Sequence, residues 1–205
     1  VDLESTDVGV RGCFTRASGG GRGPRAVSGG GRVRAGAAML RGTVPLASRP
    51  ISPSDSDFLF ALYASTREGE LAAWGWTPAQ AEVFLRMQWL ARGRDWSARY
   101  PTAEDRVVLV DGQPAGRLLV ARGEKEWRLV DIALLPAHRG GGLGTQLVHE
   151  LLEAAGEARM CVRLHVLHDS PARKLYSRLG FQGEPGARED SPYVAMEWTP
   201  ASRAG

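Results

Sequence analysis

Along the chain from Thr43, apolar residues recur at two spacings, every second position and every third or fourth, and the switches between them mark out successive strands and helices. A short apolar segment around residues 44–46 opens the series. Ser52-Pro53-Ser54-Asp55 is a helix-start cluster and predicts a helix over 54–64. Thr77-Pro78 supplies an N-cap and a first-turn proline, and Val83, Met87 and Leu90 then recur at helical spacing, which predicts a long second helix ending near Tyr100-Pro101. The apolar runs 106–110 and 115–121 flank Asp111-Gly112-Gln113-Pro114, where Asp-Gly signals a tight turn and hence a β-hairpin. A third strand over 127–135 stops at Pro136, and after glycines 140–142 the residues Leu143, Leu147, Val148, Leu151 and Leu152 form one helical face. Cys161–Leu167 reads as a buried strand. Ser170-Pro171 opens a helix through Leu175 and Leu179 that stops at Gly180, and 193–198 forms a last strand. The predicted order is β-α-α-β-β-β-α-β-α-β, an α/β (α+β) arrangement.

Residues 1–42 show neither rhythm. They carry 11 of the 26 glycines and few large apolar side chains, so they are expected to be a disordered Gly/Arg-rich leader ahead of a domain over 43–199, with 200–205 as a flexible tail. Seven arginines against Asp2, Glu4 and Asp7 give the leader +4, and the overall +3 therefore leaves the body at −1. A near-neutral body offers no bulk attraction for nucleic acid, and only the leader could touch one. The leader begins with acidic residues and lacks the 7–15 residue apolar stretch of a secretory signal; one reading of it is an overlong translation with the true start near Met39, the other an Arg and Gly tail that touches nucleic acid. No run approaches the roughly 18 apolar residues of a membrane helix. Cys13 and Cys161, far apart, offer no disulfide framework, so a reducing cytoplasm is the expected location. Arginine makes up 24 of the 26 basic residues, which suggests a GC-rich, bacterial coding sequence.

The densest chemical signal lies in Asp131-Ile132-Ala133-Leu134-Leu135-Pro136-Ala137-His138-Arg139-Gly140-Gly141-Gly142-Leu143-Gly144-Thr145, a strand, a glycine-rich turn and a helix start. Glycines let backbone N–H groups approach a ligand, and the first N–H groups of the helix with the positive end of its dipole form a cradle for phosphate, to which Arg139 can add charge. No Gly-Lys-Ser/Thr follows, so this is not a P-loop, and the third glycine of a dinucleotide fingerprint is missing.

The spacing Arg139-x-x-Gly142-x-Gly144 resembles the pyrophosphate-binding signature of the GNAT N-acetyltransferase superfamily. Ser170-Pro171-Ala172-Arg173-Lys174-Leu175-Tyr176-Ser177-Arg178-Leu179-Gly180-Phe181 resembles the later motif of that family, a helix carrying a Tyr and ending in Leu-Gly-Phe. The order of the two motifs and of the elements extends the likeness over residues 43–199. The resemblance implies a mixed central sheet, flanked by about four helices, that splays open between the strands ending at Leu135 and Leu167 and takes acetyl-CoA in the gap. It implies cofactor contacts from Leu134, Leu135, Arg139, Gly140, Gly141, Gly142, Leu143, Gly144, Thr145 and Ser170. Ser170 stands where the family commonly has Asn, and it serves equally well as a helix N-cap. The N–H near Leu134 resembles the family's oxyanion donor, and Tyr176 matches the residue that protonates or hydrogen-bonds the CoA sulfur.

The resulting expectation is an acetyl-CoA-dependent N-acetyltransferase that acts by direct transfer to a primary amine, small molecule or peptide, without a metal. Asp131, an acid inside an apolar strand, is the first candidate for general base, with a structural ion pair as its other reading; His165 and His168 come second. Glu68, Glu70, Trp74 and Trp76, between the first two helices, are candidate acceptor contacts, since carboxylates and indoles suit a cationic amine. Families of this type often form homodimers. The alternatives are a non-catalytic acyl-CoA sensor or interaction module with a basic leader, and an α/β protein that uses its anion loop for another phosphorylated ligand.

Overall fold

The computed structural model describes residues 46–68, 75–183 and 191–201. In chain order they form β1 (Leu46–Pro50), α1 (Ser56–Ser65), α2 (Pro78–Arg99), β2 (Glu104–Val110), β3 (Gln113–Arg122), β4 (Glu126–Leu134), α3 (Leu143–Glu157), β5 (Cys161–Leu167), α4 (Pro171–Arg178), β6 (Gln182–Gly183) and β7 (Tyr193–Trp198), with 3-10 turns at Pro53–Asp55 and Pro136–His138. The expected leader and residues 202–205 of the expected tail lie outside the described residues. The strands make one seven-stranded sheet in the order β1-β2-β3-β4-β5-β7-β6, antiparallel throughout except where β4 lies parallel to β5. This is the mixed α+β arrangement expected, with one addition: β6 is two residues long, too short to leave a periodic trace. No helix among the described residues is long and apolar enough to cross a membrane.

Local chemistry sets the boundaries. Thr77 caps α2 in a reciprocal box with Gln80, and Pro78 occupies the first turn, where its missing N–H costs nothing. Ahead of α1, Asp55 accepts from the backbone N–H and hydroxyl of Ser52 and from both terminal nitrogens of Arg49, at 2.6–2.8 Å, which holds its carboxyl well below the usual range. Asp111 and Gly112 both take positive φ, 50° and 77°, as a two-residue turn matching the twist of β2 and β3 requires.

α2 forms as the spacing predicts, although Val83, Met87 and Leu90 are 72%, 61% and 52% exposed. The inward stripe runs through Leu85 and Trp96, both buried, with Trp89 and Arg92 half-buried between them. Its spacing is equally helical, but a charged residue in the third place hides it from a reading based on apolar periodicity, and Arg92 turns inward because it has an acidic partner in β4.

Two apolar clusters flank the sheet. The larger joins Leu147, Val148, Leu151, Leu152 and Ala155 of α3 to Leu129, Ile132 and Leu134 of β4 and Val162, Leu164 and Val166 of β5, and it includes Ala172 and Tyr176 of α4. The smaller holds Trp96 of α2 against Leu119 and Val130 on the other face. In the register between β3 and β4, Leu119 faces Asp131 and Val120 faces Leu129, so Val130 is an extra residue. This bulge turns Val130 and Asp131 to the same side, toward α2, and restores Ile132 to the α3 side. On β3, a Cβ added to Gly116 would overlap the carbonyl oxygen of Ala133 and lie 2.6 Å from a methyl of Leu134. Because the first of these contacts is backbone, Gly116→Ala must push β4 away, and a loss of about 1–3 kcal/mol in urea unfolding is expected.

Candidate functional site

Strands β4 and β5 are paired only at their beginnings, Glu126 with Cys161, Trp127 with Val162 and Arg128 with Arg163. Beyond this they part, β4 continuing to Leu134 and β5 to Leu167. The N–H of Leu135 donates to the carbonyl of Ala115 at 2.9 Å, on the β3 side. Successive residues of a strand direct their backbone groups to opposite edges, so the N–H and C=O of Leu134 point to the edge that β5 has left. The carbonyl of Leu134 accepts from Nε of Arg139 at 2.7 Å. The Leu134 N–H therefore faces the gap, as expected of an oxyanion donor, whereas the N–H of Leu135 is committed to β3 and cannot serve a ligand.

At the open end of the gap the chain turns through Gly140, with φ 77°, and Gly142, with φ 92°, the latter forming the N-cap of α3. A Cβ at Gly140, Gly141 or Gly142 would meet no atom within 4 Å, so the loop presents bare backbone to open space. The first helical bond runs from Gln146 N–H to Gly142 C=O. The N–H groups of Leu143, Gly144 and Thr145 precede it and lie in the first turn, where the helix itself supplies no acceptor. These groups stand where the sequence reading placed an anion cradle, and their backbone donors are the kind such a cradle needs. Arg139 departs from expectation: besides Leu134, its guanidinium donates to the hydroxyl of Ser65 at 2.9 Å and the carbonyl of Ser65 at 3.4 Å. Its side chain ties the end of β4 to the C-terminal turn of α1 and does not extend toward the cradle.

Tyr176 is carried by α4, whose last turn closes with Gly180 N–H bonded to Ser177 C=O and Phe181 N–H bonded to Tyr176 C=O. This left-handed cap, with Gly180 at φ 94° and Phe181 buried, is what Leu179-Gly180-Phe181 encodes, and it seats Phe181 edge-on to the Tyr176 ring at 5.6 Å. Tyr176 is wholly buried, and its hydroxyl has no hydrogen-bond partner among the described residues. Burial, and secondarily the carboxylate of Asp131, push its pKa far above the ordinary value, so the phenol stays protonated. A buried hydroxyl without a partner is rare, because its desolvation goes uncompensated. Tyr176 belongs to the same core cluster as Leu129, Ile132 and Leu134 of β4 and Leu164 and Val166 of β5. Ser170 accepts from Ala172 N–H at 3.3 Å and so caps α4, one of the two roles open to it.

On the α2 face a cleft of about 790 Å³ opens between α1, α2 and strands β2–β4. Asp131 lies in it and is 4% exposed; its Oδ1 receives Nη2 of Arg92 at 2.7 Å, and its Oδ2 lies 3.8 Å from Nη1 of Arg117. Arg117 in turn holds Asp105 by two bonds, at 2.8 and 2.5 Å. Both guanidiniums lie over the Trp96 ring, at 4.0 and 4.9 Å from its centre. Burial pushes Arg92 below its ordinary pKa, with Asp131 opposing; in Arg117 the pull of Asp105 and Asp131 outweighs burial, and its pKa is raised. Asp131 thus has the ion-pair partner that was its other reading, bonded among the described residues through Oδ1 alone. His165 is likewise engaged, its Nδ1 3.1 Å from Arg128. Of the acceptor contacts read from sequence, Trp76 and Glu68 are not among the residues that line this cleft: Trp76 packs edge-on against Phe84 at 4.9 Å and Glu68 is exposed, while Glu70 and Trp74 lie outside the described residues. The residues missed were Arg92, Trp96, Arg117 and Asp105, and the acid amid the apolar residues of β4, Asp131, was the signal that a buried base must face it.

No curated protein matches the chain in sequence. Among solved structures, the PaiA N-acetyltransferase of Thermoplasma acidophilum, in complex with coenzyme A, superposes with TM-score 0.57 at 17% identity, over 75% of this chain and 98% of that one. An acetyltransferase of Thermus thermophilus superposes with TM-score 0.52 at 18% identity, over 75% and 96%. At such identities these likenesses establish the fold. The sequence profile of the acetyltransferase (GNAT) family matches residues 61–181, more than half of the chain and spanning the α2 helix, the splayed strands, the glycine turn and Tyr176. The chain therefore belongs to the GNAT family of acetyltransferases.

Proposed function

We propose that the protein is an acetyl-CoA-dependent N-acetyltransferase that moves the acetyl group directly to a primary amine with both substrates bound. The observation that carries this reading is the buried Tyr176 hydroxyl, which has no hydrogen-bond partner among the described residues and belongs to the same core cluster as Leu129, Ile132 and Leu134 of β4 and Leu164 and Val166 of β5, beyond the point where the two strands part to leave a gap. A thioester lying in that gap would give the hydroxyl its missing partner. Leu143, Gly144 and Thr145 would hold the pyrophosphate through backbone N–H groups, and the gap-facing edge of β4 would bond the amide-bearing arm as an added strand would.

Acetyl-CoA supplies an activated acetyl group. The chain supplies three things around it. Leu134 N–H donates to the carbonyl oxygen as negative charge develops there. Tyr176 keeps a proton at the departing sulfur. The dry core around both strengthens these contacts. In the balanced reaction the amine nitrogen forms its bond to the acetyl carbon, the carbon–sulfur bond breaks, and the proton lost by nitrogen is matched by the one gained by sulfur. Because its pKa is raised, Tyr176 stabilises the thiolate by hydrogen bonding and passes on a proton only as one is replaced. Asp131, held by Arg92 through one oxygen, is offered no role as base here, and deprotonation of the amine is assigned to water.

The test is thiol release from acetyl-CoA by the full chain across a panel of polyamines, amino acids, aminoglycosides and peptides. Release with at least one amine class is expected. Failure of acetyl-CoA to raise the melting temperature would refute the cofactor assignment. Binding with silence across the panel would favour the non-catalytic sensor.

A further inference from the structure

The cleft on the α2 face has a chemistry opposite to the acceptor site read from sequence. Instead of carboxylates awaiting a cation, it holds three arginines, 92, 94 and 117, against two aspartates, 105 and 131. Arg117 and Asp105 satisfy each other in a two-bond fork. Arg92 and Asp131 do not: they share one bond, the Nε–H of Arg92 is buried without an acceptor, and Oδ2 of Asp131 has Arg117 only at 3.8 Å, beyond hydrogen-bond reach. Arg94 stands exposed at the rim and makes no ion pair among the described residues. Around these charges the walls are apolar and aromatic, including Leu62, Tyr63, Trp89 and Trp96. The cleft also reaches Ala133, adjacent in β4 to the Leu134 whose N–H faces the gap.

From this we infer that the cleft is the acceptor site and that its ligand is a primary amine that also bears a carboxylate and an apolar body, in the manner of a hydrophobic amino acid. The assignment rests on the acetyltransferase reading above and narrows its acceptor. The carboxylate answers the excess guanidinium charge, entering past Arg94 toward Arg92, where a planar fork of donors matches two oxygens. The ammonium or amine takes the under-used oxygen of Asp131, on the side of the cleft nearest the Leu134 N–H. The apolar body lies between Trp89 and Tyr63. An amine lacking the acid would leave the positive excess unmatched, and specificity of this kind comes from groups left unpaired by the wrong ligand.

The experiment is calorimetric titration of the full chain, saturated with CoA, with L-tryptophan, L-phenylalanine and L-leucine, and with the corresponding amides and decarboxylated amines. At least one acid should bind about tenfold or more tightly than its amide and its decarboxylated form, a gap of about 1.4 kcal/mol. Arg94→Ala, a change on an exposed helix face that leaves the fold intact, should reduce that gap to about threefold or less while CoA affinity is unchanged. Equal or tighter binding of the amides, an unaltered preference in Arg94→Ala, or no binding by any of the three acids would overturn the assignment. If CoA itself fails to bind, the acetyltransferase reading falls, and the same titrations without CoA decide the cleft by the same criteria.

Discussion

Replacing Tyr176 by Phe should lower kcat by about a hundredfold or more, the usual contribution of a positioned proton donor, while the dissociation constant for CoA stays within about twofold. The asymmetry follows from where the hydroxyl sits. The ring of Tyr176 packs in the core against Phe181, and Phe preserves that packing. The hydroxyl itself has no partner among the described residues, so removing it breaks no bond there and relieves an uncompensated buried group. A folding-only role therefore predicts a variant as stable as the parent or more so, with unchanged turnover. A catalytic role predicts the same or higher stability with turnover lost. Melting temperature, CoA affinity and kcat measured on one preparation separate the two, and a fall in CoA affinity with kcat preserved would assign Tyr176 to binding instead. Because the pKa is raised by burial, no titration of Tyr176 is expected in the rate profile below about pH 10.

The parts of the fold that could be read in the sequence are those whose information is local. Leu179-Gly180-Phe181 specifies its own cap, Gly140 and Gly142 lie where φ is positive, and α3 shows an uninterrupted apolar face. These features fix Tyr176 and the anion cradle before any tertiary contact is known. The features that escaped are made by residues distant in sequence. Arg139 was read as a charge for phosphate because nothing nearby competes for it, yet its partners include Ser65, 74 residues away. The inner face of α2 was missed because Arg92 interrupts an apolar stripe that only its partner in β4, 39 residues on, makes possible. The acceptor cleft combines both problems. Its walls come from α1, α2 and three strands, and its charges are buried in pairs whose members look ordinary one at a time.

The pair formed by Arg92 and Asp131 is where the structural and catalytic readings make the most divergent predictions. Asp131→Ala should cost about 3–5 kcal/mol in urea unfolding, because it leaves the buried guanidinium of Arg92 without its counter-charge in a position too dry to solvate it. Arg117 aggravates the loss, since it too lies near Asp131 and over the same indole. Removing both charges should undo most of the damage: the double variant Arg92→Met, Asp131→Leu replaces a paired charge by apolar volume and is expected to recover the greater part of the lost stability. A general base predicts otherwise. In that case Asp131→Asn would fold with nearly full stability, lose turnover, and lose the acidic limb of the rate profile, and the double variant would be no more stable than Asp131→Ala. A strongly non-additive stability cycle would show that Asp131 supports the fold through Arg92, holding the floor of the cleft in shape.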